Sequence, residues 1–141
     1  MSAFIVDASV VVKWFVPEIH SESARRLLSL PHEYFAPDLL FAETANTICN
    51  KIRRGEIDAE PGQKLVADMG RIAVETIPCR LLAQDAHALA NLTGRTVYNS
   101  MYLTLAVRLR TRLISADQKF VNALVDHPVL AEHIAFVADF V

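Results

Sequence analysis

Three acids, Asp7, Glu43 and Asp117, fall where the local pattern puts the carboxyl ends of short apolar strands or the helices beside them. A fourth such position, Asn99 in the run Val97-Tyr98-Asn99-Ser100-Met101-Tyr102, carries an amide where a carboxylate would complete the set. Clustered carboxylates repel one another unless a positive group stands between them, and hard divalent cations with oxygen ligands are the usual answer. The set therefore points to a Mg²⁺ or Mn²⁺ site, and phosphodiester hydrolysis is the chemistry it suits, because such an ion acidifies a water and polarises a phosphate oxygen. An amide oxygen still ligates a hard cation, but with a dipole in place of a charge. One unit-charge pair at ~4 Å is worth on the order of 4 kcal/mol at an effective dielectric near 20, so weakened ion binding is expected at Asn99.

The elements that must position these residues alternate along the chain. Ala3-Phe4-Ile5-Val6 is a continuous apolar run suited to a strand buried on both faces, and Asp7-Ala8-Ser9 turns from it into a helix over 10–15. A helix over 21–30 and a strand at 34–36 follow. Pro37-Asp38 then predicts the start of a long helix running to Arg54 and stopped by Gly55. Further helices are predicted over 59–73, 81–92, 97–110 and 117–125, with strands at 74–77, 113–115 and 134–137. Strands alternating with helices predict a parallel sheet covered on both faces. Ligands bind such sheets outside the carboxyl ends of the strands, so Asp7, Glu43, Asn99 and Asp117 meet if the first and fourth strands are neighbours.

Each residue also has a plainer role. Asp7 and Asp117 are good helix N-caps, and Thr96 caps the helix that holds Asn99. Glu43, Asn46 and Asn50 form a polar stripe among apolar neighbours, which implies buried polar groups in need of partners or a metal unless that face is solvated. Lys51, Arg53 and Arg54 close one helix and Arg108, Arg110 and Arg112 another, where cations suit the negative end of the dipole; phosphate contact is the alternative. Trp14, Phe15, Tyr98 and Tyr102 read as core or dimer-surface aromatics before base-stacking ones.

The 141 residues are 52% apolar, in short runs broken by charge, and suit one domain over 1–141. No run approaches the ~20 apolar residues of a membrane span, and Met1-Ser2-Ala3 puts no charge ahead of a signal core, so a soluble, cytoplasmic protein is expected. A net charge of −2 gives no general attraction for nucleic acid, whose binding would need a local basic groove or metal ions. Cys49 and Cys79 have neither a redox-motif nor a zinc-ligand spacing, and the five histidines are scattered.

The opening Ile5-Val6-Asp7-Ala8-Ser9-Val10-Val11-Val12-Lys13-Trp14-Phe15 resembles that of PIN-domain proteins, in particular the VapC-type toxins of toxin–antitoxin pairs. Ala36-Pro37-Asp38-Leu39-Leu40-Phe41-Ala42-Glu43-Thr44-Ala45-Asn46 resembles the second acidic motif of that family, Val97-Tyr98-Asn99-Ser100-Met101-Tyr102-Leu103-Thr104-Leu105-Ala106 the third, and Ile114-Ser115-Ala116-Asp117 the fourth. The resemblance implies a three-layer α/β/α sandwich with a central parallel sheet and Mg²⁺- or Mn²⁺-dependent endoribonuclease activity on RNA. It also implies a homodimer and inhibition by a cognate antitoxin. Asp7, Glu43 and Asp117 would be the metal-binding acids, with Ser9 and Asn46 in support. Asn99 stands where the family has Asp, which fits both a natural variant of reduced activity and a chain altered to disable it.

A non-catalytic PIN-like module that dimerises and holds antitoxin or RNA is the competing reading, and Asn99 favours it. A phosphoryl-accepting receiver domain would want paired acids after the first strand. A dinucleotide-binding enzyme would want a glycine-rich turn there, and Asp7-Ala8-Ser9-Val10 supplies neither.

Overall fold

A computed structural model describes residues 2–140; Met1 and Val141, the outermost residues of the expected domain, lie outside the described residues. The strands are β1 (Ala3–Val6), β2 (Glu33–Pro37), β3 (Val74–Ile77), β4 (Leu113–Ser115) and β5 (Ile134–Phe136). The helices are α1 (Ala8–Phe15), α2 (Ser21–Arg26), α3 (Leu40–Arg53), α4 (Ala59–Met69), α5 (Ala83–Thr93), α6 (Val97–Arg108), α7 (Gln118–Ala123) and α8 (Pro128–Ala131). All strand pairings are parallel, in the order β3-β2-β1-β4-β5, with Ile5 beside Phe35 on one side and Leu113 on the other.

That order contains a reversal. The chain winds outward from β1 to β2 and β3, then returns across the sheet to lay β4 on the free side of β1. With right-handed crossovers, the change of direction puts α1–α4 on one face and α5–α8 on the other, giving three layers. The two halves diverge between β1 and β4, and the crevice this leaves at the carboxyl edge is where α/β sheets bind ligands.

The sheet centre is dry. Ile5, Val6, Leu113 and Ile114 are fully buried, as a strand covered on both faces requires. From one side come Val10 and Val11 of α1; from the other comes α6, buried at every residue from Ser100 to Ala106. Val12, Ile48 and Met69 form a second cluster that locks α1, α3 and α4 together. Gly62 makes this approach possible: a Cβ there would lie 2.5 Å from Ile52 Cδ1.

Several expected boundaries move. Pro37 is not the start of a helix but the last residue of β2, paired with Ile77, and α3 begins at Leu40. The carboxylate of Asp38 accepts a hydrogen bond from the Cys79 amide (3.0 Å), tying the turns after β2 and β3 together. The helix expected to reach Leu30 tightens after Arg26 into a 3₁₀ turn at Leu27–Ser29, and α5 is preceded by another at Cys79–Leu81. The four-residue α8, with Pro128 in its first turn, was not expected. Among the described residues no helix is long and apolar enough to cross a membrane.

Candidate active site

Asp7 is the residue at which β1 becomes α1. Its backbone is extended, and its Oδ1 accepts from the Val10 amide (3.3 Å) and from the Ser9 hydroxyl. Ser9 Oγ in turn accepts from the Ala116 amide (2.9 Å), so one hydroxyl bridges the turn after β1 to the turn after β4. Asp117 repeats the device at the head of α7: Oδ1 accepts from the Phe120 amide (3.2 Å), while the Asp117 amide donates to Ser115 Oγ (3.1 Å). The predicted capping roles of both acids are therefore real, and they do not exclude a second role. A cap occupies one carboxylate oxygen and fixes the direction of the other.

Burial dominates the electrostatics of Asp7. The residue is 8% exposed, and desolvation pushes its pKa up to about 6. Hydrogen bonds from Ser115, Ser9 and the Val10 amide offset part of the rise, and the charge of Glu43 adds to it. Glu43, in the first turn of α3, accepts a 2.6 Å hydrogen bond from the buried Tyr102 hydroxyl of α6. Burial raises the Glu43 pKa and that bond partly offsets the rise; burial and the neighbouring Glu43 drive the Tyr102 hydroxyl strongly upward.

Asn99 is half-buried, its amide held by Thr96 Oγ1 (3.0 Å). It precedes Tyr102 by three residues, so the two share a face of α6. Asn46, one turn beyond Glu43 on α3, is exposed, and Asn50 is half-buried. The expected buried polar stripe is thus a largely solvated one beyond Glu43.

Sequence reasoning missed three participants. Tyr102 reads from the sequence as a core or dimer-surface aromatic, with base stacking as the alternative, yet its hydroxyl fixes Glu43. Ser115 ends β4; its Oγ accepts from the Asp117 backbone amide, and its hydroxyl favours the ionised form of Asp7. Arg95, just ahead of the α6 cap, pairs with Asp117 Oδ2 at 3.5 Å and lies over the Phe120 ring, 5.3 Å from its centroid. Its partner is 22 residues away in sequence, beyond the reach of any local pattern.

The donors are hard oxygens, and a buried carboxylate pushed towards its neutral form is one that a cation would favour, so the residues suit Mg²⁺ or Mn²⁺ in kind. They are not gathered into a ready ligand shell: among the described residues no three His, Cys, Asp or Glu side chains are grouped to hold an ion.

The family model described as PIN domain matches residues 4–123. Ribonuclease VapC3 of Pyrobaculum aerophilum is 31% identical over 117 residues, covering 82% of this chain and 89% of the relative. Among solved structures, PAE2754 of Pyrobaculum aerophilum superposes with a TM-score of 0.67 at 17% identity, over 98% of this chain and 93% of the other. A chain of a toxin–antitoxin complex from Klebsiella pneumoniae superposes with a TM-score of 0.64 at 13% identity, over 95% and 97%.

Proposed function

This chain belongs to the PIN-domain family, and on that footing we propose that it is a Mg²⁺- or Mn²⁺-dependent endoribonuclease, the toxin of a toxin–antitoxin pair, attenuated by the amide at Asn99. The observation that carries the reading is that the turns after β1 and β4, which hold Asp7 and Asp117, are tied together through the hydroxyl of Ser9. The ribonuclease relative and the fold shared with a toxin–antitoxin complex support it.

Asp7 and Asp117 would hold the ion, with Glu43 and Asn99 orienting it or its water. The bound ion supplies an acidified water and a polarised phosphate oxygen. Ser9 and Ser115 keep the Asp7 carboxyl aimed into the crevice, and Tyr102 keeps Glu43 from swinging into solvent. Burial of Asp7 and Glu43 keeps water away from their charges, which strengthens their pull on any cation. RNA is the substrate, the cytoplasm the place of action, and a small antitoxin protein and a second copy of the chain are the partners.

Asn99→Asp tests the reading. Restoring the carboxylate should tighten Mn²⁺ binding by ~1–3 kcal/mol once desolvation and mutual repulsion have reduced the raw Coulomb term, and should raise the cleavage rate. Calorimetric titration with Mn²⁺ and gel assays on single-stranded RNA read both. Unchanged affinity and rate would remove position 99 from the site. Asn99 also favours a second reading, a binding module that holds antitoxin or RNA without cutting it. Cleavage absent even after Asn99→Asp would select that one.

A further inference from the structure

We propose that Arg95 is the phosphate-gripping residue of this site, the side chain through which the crevice binds the RNA backbone. Its role presupposes RNA as the ligand, as in the ribonuclease reading.

The basic residues that close α3 and α6 are poorly placed for this role. The basic residues at the ends of α3 and α6 lie at the far ends of those helices, away from the edge where Asp7 and Asp117 sit, and several are already engaged. Lys51 is buried against Glu18 at 2.9 Å, and Arg54 pairs with Glu56. Arg108 binds Asp85 at 2.8 Å and the Leu81 carbonyl at 2.7 Å, and Arg112 stacks on Phe140. With a net charge of −2, the protein has no diffuse positive field to replace them.

Arg95 is placed at the crevice and only loosely committed there. Its 3.5 Å contact with Asp117 is long beside the ~2.8 Å of a well-formed charged hydrogen bond. The Phe120 ring fixes the guanidinium plane without using its N–H groups. Its Nε is buried and has no hydrogen-bond partner, an arrangement that is costly unless an acceptor arrives. The side chain keeps 24% exposure, enough for a ligand to reach it. A planar fork with unused donors, pre-oriented on an aromatic ring, matches a phosphate oxygen pair better than a lone carboxylate oxygen. Asp117 thus holds Arg95 in readiness, and an RNA phosphate takes over its donors.

Anisotropy titration of a fluorescent single-stranded RNA with the full chain, in EDTA and in Mn²⁺ across a salt series, tests this. Arg95→Ala should weaken binding about tenfold and flatten the log–log salt slope by about 0.7, the release expected for one phosphate on a single strand. Arg95→Lys, which keeps the charge but loses the fork, should fall between, and it carries the test if the alanine variant does not fold. Arg71→Ala, removing the same charge from a 78%-exposed side chain, should change nothing. RNA affinity and salt slope unchanged in Arg95→Ala would overturn the assignment. A parent that binds RNA through Arg95 yet cuts none, even as Asn99→Asp, would condemn the nuclease reading and leave Arg95 standing. A parent that binds no RNA overturns both.

Discussion

Asp7 is held where its charge is least welcome. A carboxyl whose folded pKa is raised from 3.8 to about 6 binds its proton more tightly in the folded protein, so it is neutral in its effect below the lower value, opposes folding increasingly between the two, and exacts its full penalty above the upper one. At pH 7.5 the penalty is on the order of 3 kcal/mol. Asp7→Asn keeps the helix cap and removes the charge. It should therefore stabilise the ion-free protein by up to about that amount in urea unfolding with EDTA, while abolishing Mn²⁺-dependent cleavage. A destabilised variant would mean that the bonds from Ser9 and Ser115 outweigh desolvation. At this scale the capping roles of Asp7 and Asp117 were readable because an Asp just after a strand and just before a helix is a good N-cap. The partners Tyr102, Ser115 and Arg95 lay out of reach, since each depends on how elements far apart in the sequence pack together.

Helix starts do the positioning. α1, α6 and α7 each begin with a side-chain cap, from Asp7, Thr96 and Asp117 in turn. Thr96→Ala should cost about 1 kcal/mol of stability, and hydrogen exchange should show the loss at the Asn99 amide, whose acceptor is removed. An undiminished protection factor there would show the first turn of α6 to be held by packing alone. Caps were legible because Thr, Asp and Ser announce them; the start of α3 was not, because it has no side-chain cap. Pro37 at the end of β2 mimics a helix start, and only the β2–β3 pairing, settled by residues forty positions apart, reveals it as a strand end. The short α8 is below the length at which periodicity can register.

Across the molecule, one acid joins elements that the sequence shows as unrelated. Glu18, in the loop after α1, accepts from Lys13 of α1 (3.0 Å) and Lys51 of α3 (2.9 Å), and both lysines are buried. Burial alone would raise the Glu18 pKa, but the hydrogen bonds and charges of the two lysines outweigh it and hold the carboxyl below its ordinary value. A carboxylate held low stabilises the fold above its unfolded pKa of 4.5 and loses that contribution as the pH falls through the folded value. Glu18→Gln should cost about 3 kcal/mol at pH 7, because buried Lys13 loses its counter-charge and buried Lys51 keeps only the longer 3.7 Å contact with Glu56, and the gap between variant and parent should close in acid. Equal stability at pH 7 would reduce the triad to a surface ornament. Lys51 was expected as a solvated helix end; its partner lies 33 residues away, and no helical spacing encodes that.

The strand order also dictates when the crevice can exist at all. β1 is made first and stands at the centre of the sheet, yet its second neighbour, β4, is more than a hundred residues downstream, and Ser9 waits for an amide 107 residues later. Among the described residues no strand pairs through a hairpin, so every pairing closes a long loop, and folding belongs to the slow, non-local class. On the ribosome, Asp7 emerges long before Asp117, and the partly made chain holds the acids of only one half of the sheet. On the proposed function, the protein would not assemble its cutting edge beside the message that encodes it until nearly all of the domain has been translated. Products of early termination carry the opening motif but lack β4, and with it the crevice.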